Sequence, residues 1–161
     1  MKLQNYKYVC TACSETFKAR NLPKNHYAEF LMRTKTGKIA YLFAIDDEIF
    51  SSLKSKFENM PTLKKIDIST RVAVLHQIFG ITCDLASDGT GYNIGAKPVC
   101  PNCGSTDMYS WEPIYPAEIF EIDVPHVTHE RWNKLSNIEK QSQIKEAIER
   151  VLADKENLGI L

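Results

Sequence analysis

Apolar residues recur at two spacings along the chain, and the change from one spacing to the other marks out its elements. Tyr6-Lys7-Tyr8-Val9-Cys10 alternates and predicts a short strand; Ser14-Glu15-Thr16-Phe17 brings the chain back from a tight turn, and Asn21-Leu22-Pro23-Lys24-Asn25 is a turn-rich exit. Tyr27 to Arg33 and Ile39 to Ile45 read as two strands around Thr34-Lys35-Thr36-Gly37-Lys38, where Gly37 can take the positive φ a hairpin loop needs. The second of these strands is apolar on both faces, so it is expected to be central and covered on both sides. From Asp46-Asp47-Glu48 the period becomes helical. Those acids suit the positive end of a helix dipole, Ile49, Phe50, Leu53, Phe57 and Met60 share one face, and Pro61 stops the helix.

A second helix is expected from Asp67 or Ser69. It would turn Val72, Leu75, Ile78 and Phe79 inward, carry His76, and end at Gly80. Gly89, Gly91 and Gly95 follow, at a spacing that suggests a phosphate-cradling loop. Such a loop opens a helix, and Lys97-Pro98 and a cysteine pair stand where the helix would be. Residues 81–95 are therefore read as a hairpin on the Asp88-Gly89 turn. Met108 to Trp111 reads as a strand broken by Pro113 and Pro116, and Phe120, Ile122 and Val124 alternate as another up to Pro125. Thr128 is expected to cap a short helix through Trp132 and Leu135. Ser136-Asn137-Ile138-Glu139 is a capping box that opens a last helix, with Ile144, Ala147, Ile148, Val151 and Leu152 inward and a Glu146–Arg150 pair on the polar face.

Composition narrows the class. At 161 residues, 43% hydrophobic and 25% charged, the chain has the size of one globular domain over 1–161. No apolar run approaches the roughly 20 residues a bilayer span needs, and Met1 to Lys7 has no signal-peptide stretch. The expectation is a cytoplasmic protein without a membrane partner, whose thiols stay reduced. Formal net charge is zero, yet residues 1–40 carry eight Lys or Arg against two Glu, a net of +6 balanced by −6 in the remainder. Two halves that attract each other account for this, as does a nucleic-acid face at one end.

The chemistry-bearing residues are two cysteine pairs, Cys10-Thr11-Ala12-Cys13 and Cys100-Pro101-Asn102-Cys103. Four thiolates in two Cys-x-x-Cys pairs satisfy a tetrahedral zinc ion completely, so one structural zinc per chain is expected on Cys10, Cys13, Cys100 and Cys103. Over residues 10–20 and 98–112 the pattern resembles the zinc-ribbon proteins. Gly104 stands where such a knuckle turns with positive φ, and Ser14 holds the equivalent place in the first pair. Eighty-six residues separate Cys13 from Cys100, against about 15–20 in compact sites. The longer loop adds only about 1.4 kcal/mol of closure entropy, small beside the roughly 10–16 kcal/mol of structural zinc in peptides. The implied fold class is α+β: a zinc ribbon from 6–20 and 97–112, an inserted strand hairpin with two helices over 25–95, and a C-terminal strand and helices over 117–157.

Rival chemistries fit less well. The second pair resembles the dithiol of glutaredoxin-like proteins, but Gly104-Ser105-Thr106-Asp107 is a poor helix start for lowering a thiol pKa. His126 and His129 beside Glu130 suggest a second metal site, but they do not form His-Glu-x-x-His on a helix. Cys83 lacks a partner and reads as a small buried residue. An ion held by four cysteines has no open coordination position, which points away from metal catalysis.

Three functions follow. In the first, the chain is a non-catalytic protein-binding module. Between Lys97 and Arg131 there is no Lys or Arg, and Tyr109, Trp111, Tyr115 and Phe120 are interleaved with Glu118, Glu121 and Asp123, a composition suited to a basic protein partner. In size and surface it looks like the immunity or antitoxin proteins that block a toxin. In the second, it is a nucleic-acid-binding protein using Lys18, Arg20, Lys24, Arg33, Lys35 and Lys38. In the third, it is an enzyme whose active site no motif reveals.

Overall fold

The computed structural model describes residues 1–24, 27–61 and 63–157. The chain runs β1 (Lys2–Cys10), β2 (Thr16–Asn21), β3 (Glu29–Arg33), β4 (Ile39–Phe43), α1 (Glu48–Asn59), α2 (Ile68–Phe79), β5 (Met108–Pro113), β6 (Ile119–Glu121), α3 (Glu130–Asn133) and α4 (Asn137–Asn157). This is the expected α+β class, with antiparallel sheets and helices. No helix among the described residues is long and apolar enough to cross a membrane.

β1 is the axis of the first sheet. β2 lines one of its edges, from Gln4 opposite Asn21 to Val9 opposite Thr16. The other edge is shared end to end: β5 covers Tyr6 to Cys10 and β6 covers Lys2 to Gln4. The alternation that predicted β1 is real, since Tyr6, Tyr8 and Cys10 are buried while Lys7 is exposed, but the strand starts four residues earlier than expected. The β-bonds of Lys2 to Gln4 come from β6, a partner invisible to local pattern.

The β3–β4 hairpin stands between two cores. Met32, Leu42 and Ala44 face a large core with Phe50, Leu53, Phe57, Leu75, Phe79, Trp132 and Ile144. On the opposite side Leu31 joins Leu3 and Val124, flanked by Ile39 and Tyr41. β4 is therefore covered on both faces, as its composition predicts. Its free edge also gains a neighbour, because the Tyr41 N–H donates to the Pro125 carbonyl at 2.8 Å and the Val127 N–H to the Tyr41 carbonyl at 3.0 Å.

Both long helices of the middle segment start where their acids predict. Asp47 accepts from the Phe50 N–H at 2.7 Å and Asp67 from the Thr70 N–H at 2.9 Å, each satisfying a backbone donor left free by the first turn. The predicted inward face of α2 needs correction. Val72 is 43% exposed and Val74 is fully buried. α2 packs against both α1 and α4, so its buried arc is wider than one stripe, while Val72 and Ile68 line a groove beside Phe57 that no described residue covers.

Other expectations fail for tertiary reasons. Residues 81–95 form no hairpin ladder: the Asp88-Gly89 turn closes through Gly89 N–H to the Ala86 carbonyl at 2.8 Å, but Asn93 pairs with Arg33 instead of with residues 81–87. Gly80 is not a left-handed cap. It is right-handed and continues into a 3-10 turn over Gly80–Thr82. Its missing side chain is required by space, because a Cβ there would overlap the Tyr92 carbonyl oxygen. Thr128 does not cap α3. The cap comes from Asp84, whose carboxylate accepts from the Glu130 and Arg131 N–H groups at 2.8 and 2.7 Å, and the Thr128 hydroxyl donates to the same carboxylate at 2.6 Å. The last strand stops at Glu121, short of Val124. The capping box forms as predicted, with Ser136 N–H donating to Glu139 at 2.8 Å, but Glu146 accepts from Ser142 and the described i,i+4 pair in this stretch is Lys145–Glu149.

Gly80→Ala is expected to lower unfolding free energy by about 2–3 kcal/mol through overpacking against Tyr92. Gly89→Ala, with open space around it but φ at +78°, should lose only about 1–2 kcal/mol. Urea midpoints of the two variants check the order.

Candidate metal centre and the surfaces around it

The two cysteine knuckles are built alike. Cys10 ends β1, Ser14 N–H donates to the Cys10 carbonyl at 3.0 Å, and Cys10 N–H donates to the Glu15 carbonyl at 2.9 Å. In the second knuckle Gly104 N–H donates to the Cys100 carbonyl at 2.9 Å and Cys100 N–H to the Ser105 carbonyl at 2.8 Å. Each turns through a left-handed residue, Ser14 at φ 58° and Gly104 at φ 75°. The serine therefore adopts the conformation its position in the motif demands, at a backbone cost of about 1–2 kcal/mol that the glycine avoids. The Thr11 N–H donating to the Asp107 carbonyl at 2.9 Å locks the first knuckle to the start of β5.

This symmetry brings four sulfurs together. The Sγ atoms of Cys10, Cys13, Cys100 and Cys103 all lie within 4.8 Å of one another, with Cys10–Cys103 and Cys13–Cys100 each at 3.6 Å. A disulfide needs about 2.05 Å. A tetrahedron with metal–sulfur bonds of about 2.3 Å has sulfur–sulfur edges of about 3.8 Å. The spacing fits a metal site of four cysteine ligands, consistent with zinc. Cys10 and Cys100 are buried, Cys13 is half-buried and Cys103 is exposed. The thiols are inequivalent. The Glu15 backbone N–H and the Asn102 side chain bring Cys13 down to about 7, the protonation change a metal ligand requires. At Cys103 the Ser105 N–H acts downward, but hydrogen bonds to the neighbouring sulfurs push it up to about 12.

Cys83 lies elsewhere, buried in the helical core. Its thiol is held up at about 12 by desolvation, which makes it inert, as its lone position predicts.

His126 and His129 do not converge. His126 is exposed and stands edge-on to Tyr41, with ring centroids 5.0 Å apart. His129 is half-buried, with Nδ1 2.8 Å from the Thr82 carbonyl and Nε2 2.9 Å from the Asp47 carboxylate. A carbonyl and a carboxylate only accept, so the ring donates from both nitrogens and is an imidazolium paired with Asp47. Burial opposes the charge on His129, but the bonds to Asp47 and Thr82 overcome it and raise its pKa. Burial likewise opposes the charge on Asp47, and its bonds to His129 and Phe50 N–H lower its pKa. Sequence reasoning missed this pair. The residues stand 82 positions apart, and only the isolated His129 hinted at a role.

Part of the charge asymmetry is offset within the first sheet. Lys18 meets Glu118 at 2.8 Å, and Asn5 donates to the same carboxylate at 2.7 Å. Lys7 meets Glu112 at 3.4 Å and Lys2 meets Glu121 at 4.0 Å. Arg20 lies over the Phe120 ring at 5.0 Å, and buried Arg33 donates to the Arg20 carbonyl. Lys24, Lys35 and Lys38 are exposed. Glu112 of β5, Glu121 of β6 and Glu118 just before β6 thus face lysines of β1 and β2. Exposed surface pairs of this kind are individually weak and salt-sensitive. Asp123 is also exposed.

The aromatic residues of this sheet split. Tyr6 and Tyr8 are buried, whereas Tyr109 is 80% exposed, Tyr115 is 72% exposed, and Trp111 and Ile119 are each about half exposed. Ser110 pairs with Val9 and Met108 with Cys10, so Tyr109 is the extra residue of a β-bulge. Bulges re-aim a side chain and interrupt an edge. Lys97, which the sequence did not single out, rests its ammonium 3.3 Å above the Trp111 ring.

No protein-family model matches the chain, and no curated protein or solved structure matches it.

The His129–Asp47 pair has a defined pH window. The raised His129 pKa contributes stability in full below its ordinary value of 6.5 and loses it as pH rises through the folded-state value. The lowered Asp47 pKa contributes above its ordinary value of 3.8 and is lost as pH falls through its folded-state value. His129→Gln should therefore cost roughly 2 kcal/mol near pH 6 and progressively less toward pH 9. Urea unfolding of both proteins across that range, compared at each pH, measures the difference.

Proposed function

We propose that this chain is a zinc-stabilised, non-catalytic protein-binding module. Its zinc is held by Cys10, Cys13, Cys100 and Cys103, and its contact surface is the bulged β5 edge with the β6 end of the first sheet. The observation that carries this reading is the run of exposed large side chains, with Tyr109 and half-exposed Trp111 on β5, Tyr115 in the loop after it and half-exposed Ile119 at the start of β6. Large aromatics exposed together are the usual anchors of a protein interface. Because Glu118 and Glu121 already meet lysines of the same chain, the aromatic rings supply the binding energy and the Lys–Glu pairs form a polar rim. The zinc acts only as a tie, since four thiolates saturate it. An immunity or antitoxin role against a toxin is the specific form of this reading, and it requires one tight protein partner.

Two measurements test it. The purified protein should contain one zinc per chain, lost in Cys100→Ser and retained in Cys83→Ser, with chelation lowering its melting temperature. The protein should capture one stoichiometric protein from its native host after nuclease treatment, and Tyr109→Ala should weaken that complex by about 30-fold, the effect of losing an interface anchor. Loss of every partner after nuclease treatment would overturn the protein-binding reading in favour of Lys24, Lys35 and Lys38 on nucleic acid.

A further inference from the structure

Asp46, at the turn between β4 and α1, meets no Lys or Arg among the described residues. Past the Tyr41–Pro125 and Val127–Tyr41 hydrogen bonds, β4 and the stretch after β6 part company. β4 runs on to Phe43 and turns through Asp46 into α1, while the other stretch leads through Thr128 to the Asp84 cap. The parting leaves a cleft of about 350 Å³, lined by Tyr41, Phe43, His126, Val127 and Asp46. Its size is within the range of small-ligand sites.

The chemistry of the cleft is one-sided. The His126 ring stands perpendicular to Tyr41, at 88°. The Tyr41 hydroxyl donates to Glu29 at 2.7 Å. Burial, that bond, and the charges of Glu29 and Asp46 hold the phenol up at about 12. Asp47 is committed to Phe50 and His129. Asp46 is exposed, and among the described residues no Lys or Arg pairs with it. No Lys or Arg lines the cleft. Aromatic faces beside an unpaired carboxylate favour a cation, and a planar, weakly hydrated guanidinium suits them better than an ammonium.

We propose that this cleft receives an arginine side chain of a protein partner, with Asp46 as its carboxylate and the Tyr41, Phe43 and His126 rings as its walls. The partner's identity as a protein rests on the reading above, but the guanidinium site stands on its own geometry. It adds a polar anchor on the hairpin to the aromatic anchors on β5. A buried hydrogen-bonded charge pair fixes orientation where apolar contact alone does not.

The test uses the zinc-loaded full chain and two small probes, N-acetyl-arginine methylamide and its uncharged isostere N-acetyl-citrulline methylamide. In an NMR titration the arginine probe should shift the Tyr41, His126 and Val127 signals saturably, at millimolar concentration. The citrulline probe should bind about tenfold more weakly, and Asp46→Asn should weaken the arginine probe about fivefold or more, whereas Glu149→Gln on α4 leaves it unchanged. Equal shifts from both probes, or arginine shifts that survive Asp46→Asn, or no saturable shift, would overturn the site. A null result here with partner capture still lost in Tyr109→Ala would remove the cleft and keep the aromatic surface; probe binding without any captured protein would do the reverse.

Discussion

The structure turns on the convergence of four cysteines, Cys10 and Cys13 at one end of β1 and Cys100 and Cys103 far along the chain. The two knuckles meet where β5 pairs with β1, at the end where the β-ladder is interrupted by the Tyr109 bulge. The pairs that β5 and β6 make with β1 form across about a hundred residues, and each must overcome the entropy of closing that loop. The intervening segment leaves after β2 and returns before β5, and its helices build one core together with α3 and α4, which follow the sheet.

The hairpin joins this core to the first sheet, and specific polar links join the helices to one another. The β3–β4 hairpin is the shared wall, apolar toward the helices on one face and toward Leu3 and Val124 on the other. The His129–Asp47 pair joins α3 to the start of α1, and Asp84 caps α3 from the loop after α2. Among described residues, no buried side-chain nitrogen or oxygen lacks a hydrogen-bond partner. The ends of short elements such as α3 thus depend on groups more than 40 positions away.

The same pairing logic sorts the surface. Between β1, β2, β5 and β6, opposite charges meet and cancel, which leaves aromatic rings as the distinctive feature of that edge. At the Tyr41–His126 cleft the carboxylate of Asp46 meets no cation among the described residues. A surface whose charges are satisfied internally binds chiefly by burial, and one whose charge is unsatisfied selects by complementarity. The two regions thus differ in what they can recognise.

The sequence by itself determined what local chemistry dictates. It set which four cysteines converge, because two Cys-x-x-Cys pairs allow few other roles, and the left-handed residue of each knuckle, which Ser14 adopts despite its side chain. It also set α1 and its cap at Asp47, the capping box at Ser136, and the two-sided cover of β4, since each depends on neighbours within a few residues or on an unbroken apolar run. Only the tertiary structure decided the rest. Val74 replaces Val72 inside because α2 is enclosed by two helices; Gly80 is a spacer because the Tyr92 carbonyl occupies the place of its Cβ; residues 81–95 make no hairpin because Asn93 is taken by Arg33. Lys2, Lys7 and Lys18 of the basic stretch meet acids of the later one because sheet register sets them opposite, Lys18 within 2.8 Å of Glu118. In each case the deciding partner is distant in sequence, and periodicity describes which face a residue occupies but not what will stand opposite it.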